Sequence, residues 1–160
     1  AWGVISPLFP DWKLQIAGSG SEKARQELSH ICKENDVTDT VEFPGFFNDP
    51  TIIYKPASIF VLSSRCDGFG MVVIEAMSQG CASIACDYGG RQKDIIRDSS
   101  EGIIIKVGDS FELAASLRSL IENEDIRNSI QDKSIERSRD FSLNHIMDQW
   151  DIIFHKSNIV

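Results

Sequence analysis

No run of lysine or arginine occurs in these 160 residues, and 16 basic side chains stand against 24 acidic ones, a formal charge of -8. A surface of that sign repels the phosphate backbone of nucleic acid, which excludes nucleic acid as an expected partner. The four cysteines, Cys32, Cys66, Cys81 and Cys86, form no C-x-x-C pair and have no neighbouring histidine at zinc-ligand spacing. They are expected as reduced thiols of a cytoplasmic protein, with no bound metal. No stretch approaches the ~20 continuous apolar residues that span a bilayer, and the N-terminus lacks the basic-then-apolar pattern of a secretory leader. Peripheral membrane contact stays open. Internal repeats, low-complexity tracts and interdomain linkers are also missing.

What is there reads as one globular domain. The apolar share of 42% and the charged share of 25% suit a soluble fold with a sizeable core. Short apolar runs rich in β-branched residues recur at 14–18, 41–43, 58–62, 82–86 and 102–107. Several are apolar throughout, as in strands of a parallel sheet covered on both faces. Segments of helical spacing lie between them, Leu28, Ile31 and Cys32 among the first. This alternation predicts βαβ units and an α/β fold, a Rossmann-like doubly wound parallel sheet with helices on both faces.

After the last strand, Asp109 and Glu112 are spaced as a capping box, and Leu113, Leu117, Leu120 and Ile121 share a stripe. From Ser142 onward, Leu143, Ile146, Met147, Trp150, Ile153 and Phe154 have the spacing of one buried helical face, so a docked terminal helix is expected. At the other end, Trp2 and Ile5 read as a short helix stopped before Pro7, with no strand ahead of it. A parallel βα unit normally has one, so either a short N-terminal helix or a piece of a longer chain is expected.

One loop concentrates the chemistry. The strand at 58–62 runs into Asp67, Gly68 and Gly70, and a helix begins near Gly70 or Met71. Ligands of open parallel sheets sit beyond the carboxyl ends of the strands. Glycines let the main chain approach a ligand, and a helix N-terminus offers free N–H groups and about half a positive charge, which suits a phosphate. Glu75 lies in the second turn of that helix, where a carboxylate matches a vicinal diol. On spacing alone, Glu75, Ser78 and Gln79 also read as the wet face of an ordinary helix, and Asp67 as a simple turn residue. The stretch "GSGSEK" departs from a dinucleotide fingerprint, and His30, His145 and His155 lack partners for a catalytic triad.

The stretch "CDGFGMVVIEAMSQG" resembles the E-G-F-G-x-x-x-x-E-A-x-x-x-G signature of the retaining, GT-B-fold glycosyltransferases of family 4, also described as glycosyl transferases group 1. The resemblance continues in order through "PDWKLQIAGSG", "VEFPGFFND", "IACDYGGRQKDII", "EGIIIKVGD" and "FSLNHIMDQW", nearly the whole chain. It implies that residues 1–160 are the C-terminal, nucleotide-sugar-binding domain, half of a GT-B fold with extra C-terminal helices. It implies that Glu75 takes the ribose hydroxyls, and that Gly68, Phe69, Gly70, Met71 and Val72 surround the diphosphate and sugar. Gly45, Phe46 and Phe47 match the loop that receives the nucleobase, with core aromatics as the other reading of the two phenylalanines. Asp67 matches the acid near the transferred sugar, where glutamate is usual.

The resemblance further implies that a first strand with a basic pair, and an acceptor-binding N-terminal domain, belong upstream. The fragment alone is then expected to be inactive. The complete enzyme would use a nucleotide-sugar donor and a saccharide or lipid-linked saccharide acceptor, without a cofactor or metal, in the cytoplasm or at the inner face of the membrane. Arg65, Arg91 and Lys93 flank the loops as further sources of positive potential. A catalytically silent nucleotide-sugar-binding module and a nucleotide-sugar epimerase are the alternatives.

Overall fold

The computed structural model describes residues 1–156. Five strands follow the five apolar runs: β1 (Leu14–Ala17), β2 (Val41–Gly45), β3 (Ile59–Leu62), β4 (Ala82–Asp87) and β5 (Ile103–Lys106). Helices precede, separate or follow them: α1 (Trp2–Ile5), α2 (Glu22–Glu34), α3 (Thr51–Tyr54), α4 (Met71–Ser78), α5 (Ser110–Glu122), α6 (Glu124–Ser138) and α7 (Leu143–Lys156). All strand pairs are parallel. They form two separate sheets, β1–β2 and β3–β4–β5.

Strand β4 lies at the centre of the larger sheet, and residues 82–86 are buried, as a strand covered on both faces must be. Its side chains alternate between two cores. Ala82, Ile84 and Cys86 pack with Ile5 of α1, Leu117 and Leu120 of α5, and Ile130 of α6. Ala85 packs on the opposite side with Leu62, Val73, Ile74, Met77, Ile95 and Ile96. The smaller sheet is lightly covered: Val41, Leu14 and Phe43 meet Cys32 and Val37, while residues 15–17 of β1 are exposed. The short N-terminal helix is present, with Ile5 buried and Trp2 Nε1 donating to Thr40 Oγ1 at 3.0 Å.

Two sequence expectations need correction. The terminal helix exists, but its apolar stripe is not buried: Leu143 is 75% exposed and Met147 51%, and Trp150 stacks on Phe154 of the same helix. Spacing gives the stripe, and its main neighbour is merely the turn Arg139–Phe141. The capping box at α5 is half formed. Asp109 Oδ1 accepts from the N–H groups of Phe111 and Glu112, but Glu112 Oε2 accepts from Lys106 N, at 2.8 Å, instead of from Asp109. The Asp109 N–H already donates to the Lys106 carbonyl, so it is not open to Glu112. Among the described residues no helix is long and apolar enough to cross a membrane.

Candidate functional site

Strand β3 ends at Leu62, and the chain returns to helical geometry at Met71 through a loop closed by Gly70. Gly70 is the N-cap of α4 and takes φ +91° and ψ 37°, a left-handed conformation that favours glycine. Space demands glycine as well. A Cβ at this position would lie 2.9 Å from Gln92 Nε2 and 3.1 Å from the Tyr88 hydroxyl oxygen. No side chain caps α4; Val73 N donates to the Gly70 carbonyl at 2.9 Å, and the N–H groups of Met71 and Val72 before it stay free for a ligand.

The loop after β4 clasps the loop after β3. Arg91 Nη1 donates to the Gly68 carbonyl at 2.8 Å, and Gln92 Nε2 donates to the Tyr88 hydroxyl at 2.6 Å. Burial, and after it the charge of nearby Asp67, raises the Tyr88 pKa above that of an ordinary phenol. Gln92 is fully buried, and its Oε1 has no partner among the described residues. Arg137 of α6 holds this second loop from behind by donating to the carbonyls of Asp94 and Ile95. Its guanidinium also lies 4.6 Å from the centre of the Phe141 ring, which meets Phe69 edge-on at 6.2 Å.

Glu75 stands five residues inside α4, on a helix whose Val73, Ile74, Ala76 and Met77 are buried. It is half-buried, and its Oε2 lies 3.4 Å from the Tyr54 hydroxyl at the end of α3. Burial first, and then the Glu75 charge, pushes the Tyr54 pKa up to about 12. Asp67 is half-buried too, but Oδ1 accepts from Gly68 N at 2.6 Å, so this carboxylate is turned onto its own loop. Phe69, Gly68 and Met71 are exposed, while the Val72 side chain joins the core beside α4.

At the end of β2, Gly45 has φ +87° and its carbonyl accepts from Gly18 N at 2.9 Å. Phe46 is 67% exposed, so it is not a core aromatic, and Phe47 is half-buried. The chain runs from this loop directly into α3, which delivers Tyr54 to Glu75. The expected positions thus form two neighbourhoods, one of 67–71 with Tyr88, Arg91 and Gln92, and one of Glu75 with Tyr54. Arg65 and Lys93 are exposed and stay outside both.

Tyr54, Tyr88 and Gln92 were not legible as site residues. Tyr54 and Tyr88 each stand in a short mixed segment with no periodicity, and nothing local distinguishes Gln92 from a surface glutamine. The fold reveals them because β4 is the neighbour of β3. Among the described residues, no three His, Cys, Asp or Glu side chains come together as metal ligands.

The chain matches the family model described as glycosyl transferases group 1 over residues 3–137. It is 32% identical over 149 residues to an uncharacterized glycosyltransferase of Haemophilus influenzae, covering 93% of this chain and 42% of that protein. It is 29% identical over 143 residues to a Campylobacter jejuni alpha-1,4-N-acetyl-D-galactosaminyltransferase, over 89% of this chain and 39% of that one. The name of that enzyme includes a PP-undecaprenol-linked saccharide. The crystal structure of Anabaena HepE in complex with UDP has a TM-score of 0.83 to this chain at 22% identity, over 92% of this chain and 42% of that one. The chain spans about two fifths of the length of these two relatives.

Proposed function

The chain belongs to the group 1 glycosyltransferases and folds as half of a GT-B fold, and from that premise we propose that it is the donor-binding, C-terminal domain of a retaining, family 4 enzyme. Its ligand is a nucleoside diphosphate sugar, and the glycosyl group passes to a saccharide acceptor bound by the remainder of a longer protein. The observation that carries this reading is the uncapped start of α4, closed by Gly70 and followed by Glu75 on the Tyr54 side.

The diphosphate meets the free N–H groups at Phe69, Gly70, Met71 and Val72, where the helix dipole offsets its negative charge. As the glycosidic bond breaks, the departing diphosphate gains charge, and donors already aimed at it lower the barrier. Arg91 adds a cation at the rim, held in place by the Gly68 carbonyl. Glu75 accepts hydrogen bonds from the ribose hydroxyls, and Gly45, Phe46 and Phe47 receive the base. Asp67 lies nearest the transferred sugar. These are roles for groups of the chain alone, with no metal or cofactor invoked.

The UDP held by HepE and the lipid-linked saccharide in the name of the Campylobacter relative support this class of donor and acceptor. That acceptor class supports a place in the cytoplasm or at the inner face of the membrane. The fragment alone binds donor without transferring sugar.

Calorimetric titration with UDP tests the reading. Glu75→Ala is expected to weaken binding by about 1–3 kcal/mol, the scale of hydrogen bonds to a charged group. Equal affinity in the two proteins removes Glu75 from the site. One observation favours a second reading, a silent donor-binding module: the Asp67 carboxylate is already engaged by Gly68 N. Sugar transfer by the longer protein decides between them.

A further inference from the structure

Glu75 does not stand alone in its neighbourhood. A glutamate on a helix has several rotamers, and fixing one costs up to about 2 kcal/mol of side-chain entropy. A carboxylate that must accept from two adjacent hydroxyls gains from being oriented before the ligand arrives.

Tyr54 is built to do this. Its ring meets Phe60 of β3 edge-on, with centroids 5.6 Å apart and an interplanar angle of 87°. Its backbone carbonyl accepts from the thiol of Cys81, just ahead of β4, at 3.3 Å. The start of α3 is fixed by Asp49, whose Oδ1 accepts from Thr51 N at 3.0 Å and Thr51 Oγ1 at 2.6 Å. Three separate segments therefore hold the phenol, whose hydroxyl lies 3.4 Å from Glu75 Oε2. That contact is longer than the ~2.7 Å of a fully formed O–H···O bond, and such contacts tighten when ligand completes a site. With its pKa at about 12, the phenol keeps its proton and remains a donor across the range in which proteins are handled.

We propose that Tyr54 is a positioning residue for Glu75: its hydroxyl donates to Oε2 and leaves Oε1 to accept from a vicinal diol. This rests on the reading of Glu75 as the ribose acceptor. Tyr54 acts through the carboxylate and makes no contact with the ligand itself.

The test is calorimetric titration of the chain with UDP and with its 2′,3′-dideoxy analogue, in wild type, Tyr54→Phe, Glu75→Ala and the double variant. Tyr54→Phe keeps the ring against Phe60 and removes one oxygen. It is expected to weaken UDP binding about three- to tenfold, the equivalent of one hydrogen bond, and to leave the analogue unchanged. In the Glu75→Ala background it should cause no further loss. Equal weakening of both ligands, an unchanged affinity for UDP, or the same loss without Glu75 overturns the proposal. So does a variant that loses its fold, because the hydroxyl is given no share in stability. A wild type that binds UDP and the analogue equally overturns the underlying reading of Glu75, a different result from one in which wild type discriminates and Tyr54→Phe discriminates just as well.

Discussion

Helices α4 and α5 begin alike and end up with opposite uses. Each follows the carboxyl end of a strand in the same parallel sheet, β3 and β5, and each has a left-handed glycine at its entrance, Gly70 with φ +91° and Gly108 with φ +80°. At α5 the next residue is Asp109, whose carboxylate accepts from Phe111 N at 3.1 Å and Glu112 N at 2.8 Å. The surface hollow there, lined by residues 106–111, thus already contains an anion of the chain's own. At α4 the glycine is itself the N-cap; its carbonyl accepts from Val73 N at 2.9 Å, and among the described residues no side chain takes the N–H groups of Met71 and Val72. Five residues beyond the cap, α5 has Ala114 buried in the core, whereas α4 has Glu75 facing Tyr54. A side-chain cap stabilises a helix by about 1 kcal/mol. Helix α4 forgoes it, and what it keeps in return is an open set of N–H groups beside an acceptor.

The strongest way to break this contrast is to fill the entrance of α4. Gly70→Ala combines a left-handed alanine with a Cβ 2.9 Å from Gln92 Nε2 and 3.1 Å from the Tyr88 hydroxyl oxygen. Strain and overpacking together are expected to cost about 2–4 kcal/mol, read from the denaturant midpoint, with UDP binding lost. Gly108→Ala meets nothing within 4 Å, so only the backbone conformation opposes it. Its expected cost is about 1–2 kcal/mol, and UDP binding should be unchanged. Equal costs for the two substitutions would show that the Tyr88–Gln92 wall does not press on Gly70.

The same pair of helices shows what the sequence disclosed. Strand and helix boundaries near Leu62, Met71, Lys106 and Ser110 were legible because apolar runs, glycines and a capping aspartate are local signals. The stripe of α5 and the stripe of α7 were equally legible as helices. Among the described residues α5 packs into the core, where β4 and β5 present Ile84, Cys86 and Ile105 to it, and the stripe of α7 does not. Spacing specifies a face and leaves its neighbour to the tertiary fold. The division into two sheets was not legible, since β1 and β3 have strand composition whether or not they pair. In the site, Gly70 and Glu75 stood out through their types and positions. Tyr54 and Gln92 did not, because each gains its place from a contact across 21 or 22 residues, Tyr54 with Glu75 and Gln92 with Gly70.

A smaller effect is expected from opening α5. Asp109→Ala removes the acceptor of two N–H groups and should lower stability by about 1 kcal/mol, seen as a shifted denaturant midpoint at constant slope. Donor binding at α4 should not change, since the Asp109 carboxylate bonds within its own helix start.

The smallest change tests the contrast most sharply. Asp109→Gly gives α5 the same N-cap residue that α4 has, and glycine at a cap costs only a few tenths of a kcal/mol. The N–H groups of Phe111 and Glu112 are then freed, and a hollow already lies beside them. If free N–H groups at a helix start sufficed for the donor, this variant would bind two equivalents of UDP. It is expected to bind one, because Ala114, buried in the core, offers no acceptor for a diol. A second equivalent in calorimetry would mean that the bare end of a helix outweighs the carboxylate in choosing the ligand, and Glu75 would no longer be what separates α4 from α5.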